Sequence, residues 1–169
     1  MKKLPTFLTL EEFEKVFKAE KDKKFKLAYL LGFKAGMRLS EIVGLPKLYS
    51  KCCDAETISG TIEIDGHKRK RLMCSKCKAI VHHNKECYRK AGTFEIEPLS
   101  KDRVDLARHT ILISQGKGKK DRIVPLPKEF NQNALNMLPL AIPRSTLQRN
   151  FRVLCRKVLD KDLHFHSLR

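Results

Sequence analysis

AGMRLSEIVGL, residues 35–45, follows the apolar run FKLAYLLGFK and carries a single arginine between two helical patterns. Gly36 suits the C-terminal stop of the helix before it. Arg38 therefore falls at a helix-to-helix junction, where a side chain can be aimed into a cleft. Ser40 and Glu41 begin the next short helix, with Leu39, Ile42, Val43 and Leu45 turned inward. Two distant stretches read together with this one. QGKGKKDRIVPLP (115–127) sets Lys117 on a glycine-flanked turn, and HFHSLR (164–169) supplies His166 and Arg169. Two arginines, a lysine and a histidine are what phosphoryl transfer needs when no metal is used. The arginines neutralise the non-bridging oxygens of a phosphodiester, and a lysine or histidine carries the proton that the leaving oxygen requires.

The surrounding elements support a compact α+β fold. Residues 6–20 read as a helix capped by Thr9, with Glu12 completing a capping box and Leu10, Phe13, Val16 and Phe17 on one apolar face. HTILIS (109–114) and DRIVPLP (121–127) read as two strands joined by a turn containing Gly116 and Gly118. STLQRNFRVLCRKVL (145–159) reads as a helix capped by Ser145 or Thr146, with Leu147, Phe151, Leu154 and Val158 as its buried stripe. Cys155 lies beside that stripe and reads as a core thiol. Gln148, Arg149, Arg152 and Arg156 lie off it, free to face a partner.

Between Pro46 and Pro98 the character changes. Residues 47–98 hold five of the six cysteines and read as a self-contained insertion into a domain made of residues 1–46 and 99–169. Cys74 and Cys77 have the two-residue gap that lets both thiolates reach one tetrahedral zinc ion. The second pair comes from Cys52 or Cys53 upstream and from Cys87 downstream. An all-cysteine site of Cys53, Cys74, Cys77 and Cys87 is the first choice; a three-cysteine site completed by His82 or His83 is the alternative. A segment of this size has little apolar material to fold alone, which favours a structural zinc. The run HKRKRL (67–72) adds basic charge to the same module.

The chain carries 36 Lys and Arg against 19 Asp and Glu, a formal net charge of +17. That excess exceeds what solubility needs and points to a polyanionic partner, most simply double-stranded DNA. No apolar run approaches a membrane span, and the N-terminal apolar stretch is too short for a signal peptide. The expectation is a cytoplasmic, DNA-associated protein whose cysteines bind metal or stay reduced. Lys119, Lys120 and Arg122 are placed to touch phosphates. Arg144, Thr146, Gln148 and Arg149 surround the start of the last helix, from which side chains reach base edges in a major groove.

The order of these motifs resembles the catalytic domain of tyrosine recombinases, the phage-integrase and Xer-type family, across residues 6–45 and 99–169. AGMRLSEIVGL looks like the first arginine box, which makes Arg38 the first catalytic arginine and Glu41 its supporting acid. LSKDRVDLARHTILISQGKGKKDRIVPLP looks like the sheet segment that carries the catalytic lysine, here Lys117. HSLR fits the His-x-x-Arg box, with His166 and Arg169. RSTLQRNF stands where the family places a DNA-contacting helix.

The resemblance implies a mostly helical α+β catalytic domain with a small antiparallel sheet, interrupted here by a zinc-ribbon-like module. It also implies site-specific DNA recombination or integration through a phosphotyrosyl link, self-association in a synaptic complex, and no cofactor for catalysis. The family's nucleophilic tyrosine lies beyond the His-x-x-Arg box, so these residues are expected to be inactive alone. A non-catalytic DNA-binding remnant or regulator is the alternative. Without the family's further helices, Leu163 and Leu168 are expected to be exposed.

Overall fold

The computed structural model describes residues 7–81, 87–114 and 120–168. In chain order its elements are α1 (Leu10–Ala19), α2 (Lys23–Lys34), α3 (Leu39–Val43), β1 (Leu45–Ser50), β2 (Ala55–Ile64), β3 (His67–Cys74), β4 (Tyr88–Ile96), β5 (Val104–Asp105), β6 (Thr110–Ile113), β7 (Arg122–Pro125), α4 (Gln132–Asn136) and α5 (Arg144–Leu159). Short 3₁₀ turns span Lys101–Arg103 and Phe165–Leu168. The chain divides into two compact units, Met1–Leu45 with Ile96–Arg169, and Pro46–Glu95.

The first unit is built on helices. Thr9 caps α1: its hydroxyl accepts from the Glu12 amide at 3.3 Å, and Glu12 accepts from the Thr9 amide at 3.2 Å. The apolar spacing then buries Phe13 and Val16, and Phe13 stacks on Phe33 of α2 at 4.0 Å between centroids. Asp22 caps α2 by accepting from the amides of Lys24 and Phe25. Leu27 through Gly32 are all buried, so α2 is the central helix of this unit. Tyr29 packs at 5.2 Å from Phe151 of α5 and 6.2 Å from Phe165.

A buried polar network ties three helices together. The Tyr29 hydroxyl donates to Glu20 Oε2 at 3.2 Å, and Asn150 Nδ2 donates to the same oxygen at 2.6 Å. The other Glu20 oxygen accepts from the amides of Lys21 and Asp22 at 2.8 and 3.0 Å. Every oxygen of this nearly buried carboxylate is therefore satisfied, as burial requires.

Leu163 and Leu168 are buried, not exposed. The 3₁₀ turn at Phe165–Leu168 folds back onto α2, where Gly32 leaves room for it, and the Leu8 amide donates to the Ser167 carbonyl at 3.0 Å. The turn thus covers its own apolar side chains. A Cβ on Gly32 would stand 2.9 Å from two Phe165 ring carbons and 3.0 Å from Leu168. Alanine gains about 1 kcal/mol of helix propensity there, but Phe165 is wedged against Tyr29 and Phe151 and cannot yield freely. Overpacking costs about 1–3 kcal/mol. Gly32→Ala is expected to lower the melting temperature by a few degrees in a thermal scan; a rise would show that Phe165 repacks without strain.

Helix α5 departs from expectation at its start and on its polar side. It begins at Arg144 after Pro143, with no side-chain cap from Ser145 or Thr146. Its fully buried stripe is Leu147, Phe151 and Cys155, with Leu154 and Val158 half-buried beside it. Cys155 is a core thiol whose pKa burial pushes up to about 12. Arg152 and Arg156 are not free, because both pair with Asp162 just past the helix. Asp160, left-handed at φ 54°, ends the helix and turns the chain so that Asp162 returns alongside it.

The small sheet of this unit has the order β5-β6-β7, antiparallel throughout, with Ile111 opposite Val124 and Ile113 opposite Arg122. Period-two alternation buries Ile111 and Ile113 and leaves Leu112 and Ile123 exposed. Arg122 therefore shares a face with Ile113, on the buried side.

The second unit is built from strands among the described residues, so the two units together make an α+β chain. Its four-stranded sheet runs β3-β2-β1-β4. β2 and β3 pair antiparallel from Thr57↔Cys74 to Ile64↔His67. Asp65 and Gly66 close this hairpin with φ of 52° and 73°, the left-handed pair that a two-residue type I′ turn demands.

Candidate functional site

Two groups of side chains in the described residues have the chemistry of a site, one in each unit.

In the second unit, Cys52, Cys53, Cys74 and Cys77 place their sulfurs within 4.8 Å of one another. The topology explains the convergence. β2 is flanked at its start by the end of β1 and the end of β3, through Ser50↔Ala55 and Thr57↔Cys74. The turns that follow β1 and β3 therefore lie at the same end of β2: Cys52 and Cys53 sit in the first, and Cys74 ends β3 just before the second, which carries Cys77. The second turn is held by the Cys74 amide donating to the Ala79 carbonyl at 2.9 Å and the Ser75 amide to the Glu56 carbonyl at 2.9 Å.

The Cys74 thiol is held down to about 6 by the Ser50 hydroxyl and by the amides of Cys77 and Lys76. Amides aimed at the first sulfur of a C-x-x-C turn stabilise the thiolate, the form that ligates metal. Cys53 is pushed up to about 12 by hydrogen bonding to Cys77 and by desolvation, because neighbouring sulfurs cannot all ionise without a cation among them. Sulfurs bound tetrahedrally at about 2.3 Å from a zinc ion lie about 3.8 Å apart, and Cys52 and Cys77 stand 3.5 Å apart. The donor set fits a tetrahedral metal ion with no position left for substrate.

This corrects the expected ligand set. Cys52 takes the place given to Cys87, whose thiol lies outside the group. Cys87 stands just before β4, where its carbonyl accepts from the Lys51 amide at 3.0 Å. His82 and His83 lie outside the described residues.

In the first unit, the Glu41 carboxylate is 1% exposed and accepts four hydrogen bonds. Arg38 caps α3 from an extended conformation, and its amide donates to Oε2 at 2.7 Å while its guanidinium donates to Oε1 at 2.9 Å. Arg122, on the inward face of β7, grips both carboxylate oxygens at 2.9 and 2.7 Å. Burial pushes the Glu41 pKa up, but the bonds from Arg122 and from the Arg38 amide and guanidinium outweigh it and hold the carboxyl below its ordinary value. One negative charge thus holds two positive ones, and the two arginines keep 27% and 31% of their side chains exposed. The group can meet an anion, because one positive charge is uncompensated and Arg38 keeps most of its N–H donors.

The other expected site residues that are described make no hydrogen bond with the Glu41 group. His166 is exposed on the 3₁₀ turn, since Phe165 and Leu168 on either side point into the core. Among the described residues, no hydrogen bond or ion pair joins it to the Glu41 group. Lys120 is exposed beside β7. Lys117, Lys119 and Arg169 lie outside the described residues. Around the start of α5, Arg149 is exposed while Arg144, Thr146 and Gln148 are half-buried. Gln148 contacts His164 at 3.3 Å. The Nε of Arg144 is buried without a partner among the described residues.

Arg122 was expected to face phosphate as one of a basic triplet. The pairing to Glu41 was legible only through strand alternation, which puts Arg122 two residues from Val124 on the inward face.

Among the three tyrosines, Tyr29 is fully buried, and desolvation together with the Glu20 charge raises its pKa far above the ordinary value. Tyr49 carries the Arg89 guanidinium over its ring at 5.1 Å. No helix among the described residues is long and apolar enough to cross a membrane. No family model matches this chain, and no curated protein matches it either.

Proposed function

We propose that the first unit is a double-stranded-DNA-binding portion of a tyrosine-recombinase-type catalytic domain, and that the second is a module stapled by a structural zinc ion. The observation that carries the first part is the Glu41 group. A buried carboxylate that orders Arg38 and Arg122 preorganises positive charge at the start of α3, which is what phosphodiester chemistry without metal uses. β7 begins at Arg122, so the same contact anchors the strand leaving the segment that holds Lys117. In the mechanism this reading implies, Arg38 and Arg169 grip the phosphate oxygens, Lys117 protonates the leaving 5′ oxygen, and His166 orients the nucleophile.

In this reading the nucleophilic tyrosine lies beyond the His-x-x-Arg box, a position that none of Tyr29, Tyr49 and Tyr88 holds. Tyr29 is buried in the core with its hydroxyl committed to Glu20 and Asn150. Strand cleavage by this reading therefore needs a tyrosine from a further segment or a second protomer, and DNA binding without cleavage is the activity expected of residues 1–169. Four thiolates that close a tetrahedron leave no open coordination position, so the zinc ion would hold structure and take no part in chemistry.

The test is titration of a duplex DNA with the protein over a range of salt concentrations. Affinity should fall by about 10-fold or more between 50 and 200 mM salt if several phosphates are neutralised. Arg38→Ala should weaken capture of a 3′-phosphotyrosyl mimic more than it weakens duplex binding. A flat salt response would remove DNA as the partner, and equal loss on both ligands would remove the catalytic reading of Arg38.

A further inference from the structure

The second unit carries a basic surface that the phosphodiester chemistry does not use. Among the described backbone pairings β2 meets β1 at Glu56 and Ala55, while from Thr57 to Ile64 it pairs with β3. The result is a two-stranded ribbon of eight residue pairs, about 27 Å long at the usual rise. The four-cysteine cluster stands at one end of it and the Asp65-Gly66 turn at the other. β3 is an edge strand of the sheet. His67, Lys68, Arg69 and Lys70 on it are exposed and Arg71 is half-buried.

The register sorts these residues onto two faces. Lys68 and Lys70 stand opposite Glu63 and Thr61, on the face that also carries Ser59 and Thr57. Arg69 and Arg71 stand opposite Ile62 and Gly60, on the other face. Among the described residues, none of these four cations forms an ion pair, whereas Arg89 in the same unit is paired with Asp54. One or two lysines suffice to keep an edge strand from pairing with another chain. Four consecutive cations, unpaired and distributed on both faces, exceed that need.

We infer that the β2–β3 ribbon is a second duplex-DNA-binding element, which lays its lysine–hydroxyl face (Ser59, Thr61, Lys68, Lys70) into a major groove while Arg69 and Arg71 reach flanking phosphates. A two-stranded ribbon fits the groove of B-form DNA, about 12 Å wide, whereas the major groove of duplex RNA is too deep and narrow to admit it. Hydroxyls and lysines contact phosphates and base edges alike. The metal cluster fixes the base of the ribbon, so the strands need no helix packed on them to hold their pairing. The inference takes its partner from the reading of the first unit, but it requires none of the chemistry there.

The experiment compares the full chain with two variants, Lys68→Gln/Arg69→Gln/Lys70→Gln/Arg71→Gln on the ribbon and Arg144→Gln/Arg149→Gln on α5. Each is titrated with a random-sequence DNA duplex and with the RNA duplex of the same sequence, over a salt series. Metal content and circular dichroism report whether the fold is kept, and the exposed pair Lys68→Gln/Lys70→Gln is the variant to use if the quadruple one loses its metal. The ribbon variant is expected to lower the magnitude of the salt slope for DNA by about 2–4 and affinity by about 10- to 100-fold. Unchanged affinity and slope would overturn the inference. If the α5 variant alone weakens binding, the ribbon inference falls and the reading of the first unit stands. Loss in the ribbon variant alone supports the ribbon and removes α5 as a DNA contact. RNA bound as tightly as DNA, with the same dependence on the ribbon, would overturn the choice of duplex DNA. No binding of either duplex by the unaltered protein would overturn both readings.

Discussion

Cys74→Ser is expected to release the metal and unfold residues 46–95 while leaving the first unit folded. Cys74 is fully buried, its sulfur is the one the Lys76 and Cys77 amides stabilise as thiolate, and it ends the strand that pairs with β2. Apart from the cluster, the second unit has little to hold it. Cys74 and Val81 are its only buried apolar side chains among the described residues, and strands need an apolar face to bury for independent stability in water. In zinc-finger peptides the binding free energy, about 10–16 kcal/mol, is itself folding free energy. Metal analysis of the unaltered protein should give about one zinc per chain, and cobalt substitution should give the intense visible bands of tetrahedral thiolate ligation. Cys74→Ser should bind none and become sensitive to protease within 46–95. Cys87→Ser should keep the metal, because its thiol stands outside the group. A metal-free, protease-resistant protein would sink the zinc assignment, and metal loss on Cys87→Ser would reinstate that residue as a ligand.

Glu41→Gln is expected to destabilise the first unit by about 3 kcal/mol, at the lower end of the range for breaking a buried ion pair. The discount reflects Arg38 and Arg122, which keep about a quarter to a third of their exposure and recover some hydration when released. Glutamine preserves the volume but leaves one oxygen to accept where two charged oxygens did, and it puts two uncompensated guanidiniums side by side. The pH dependence follows from the direction of the shift. The Glu41 carboxyl is lowered in the folded state, so its contribution is fully present above the unfolded value near 4.5 and is lost as pH falls through the lower folded value. The wild type should therefore lose stability on acidification more steeply than the variant in denaturant melts. Parallel acid limbs would mean that Glu41 titrates alike in both states and that the arginines are held by other contacts.

If the catalytic reading holds, the same substitution also affects function by freeing Arg38. Binding of a phosphodiester ligand would weaken even where the protein stays folded. A Glu41→Asp variant, with the charge kept and the reach shortened, separates the two effects: it should recover the acid limb more fully than it recovers ligand affinity.

Much of the first unit was legible because its signals are local. The Thr9–Glu12 capping box depends on residues three apart, and the structure closes it as read. The stop at Gly36 and the restart at Arg38 come from backbone conformation, with φ of 61° at Gly36. The hairpin of β6 and β7 follows from alternating apolar residues. The same reading went astray wherever the answer depended on a partner distant in sequence. Leu163 and Leu168 were expected to be exposed, yet both are buried, and Leu168 packs onto α2, which Gly32 lets it approach. Arg152 and Arg156 carry no mark in the helix pattern of the Asp162 that returns to meet them.

The cysteine cluster divides the same way. The Cys74–Cys77 spacing alone declares one half of a tetrahedral site, because two intervening residues form the turn that brings both sulfurs to one point. Which residues complete it depends on the sheet: β2 lies between β1 and β3, so the turn after β1 reaches the site with both Cys52 and Cys53, and Cys87 does not. The Asp65-Gly66 pair was a hairpin signal available in the sequence, and with it the β3 run of four cations becomes an exposed ribbon. The sequence by itself determined the local elements, the charge and the chemical types present. Only the tertiary structure decided which charges are neutralised and which remain to meet a partner. A side chain's propensity acts over a few residues, whereas the pairing of Arg122 with Glu41, 81 positions away, exists only once strand and helix are packed.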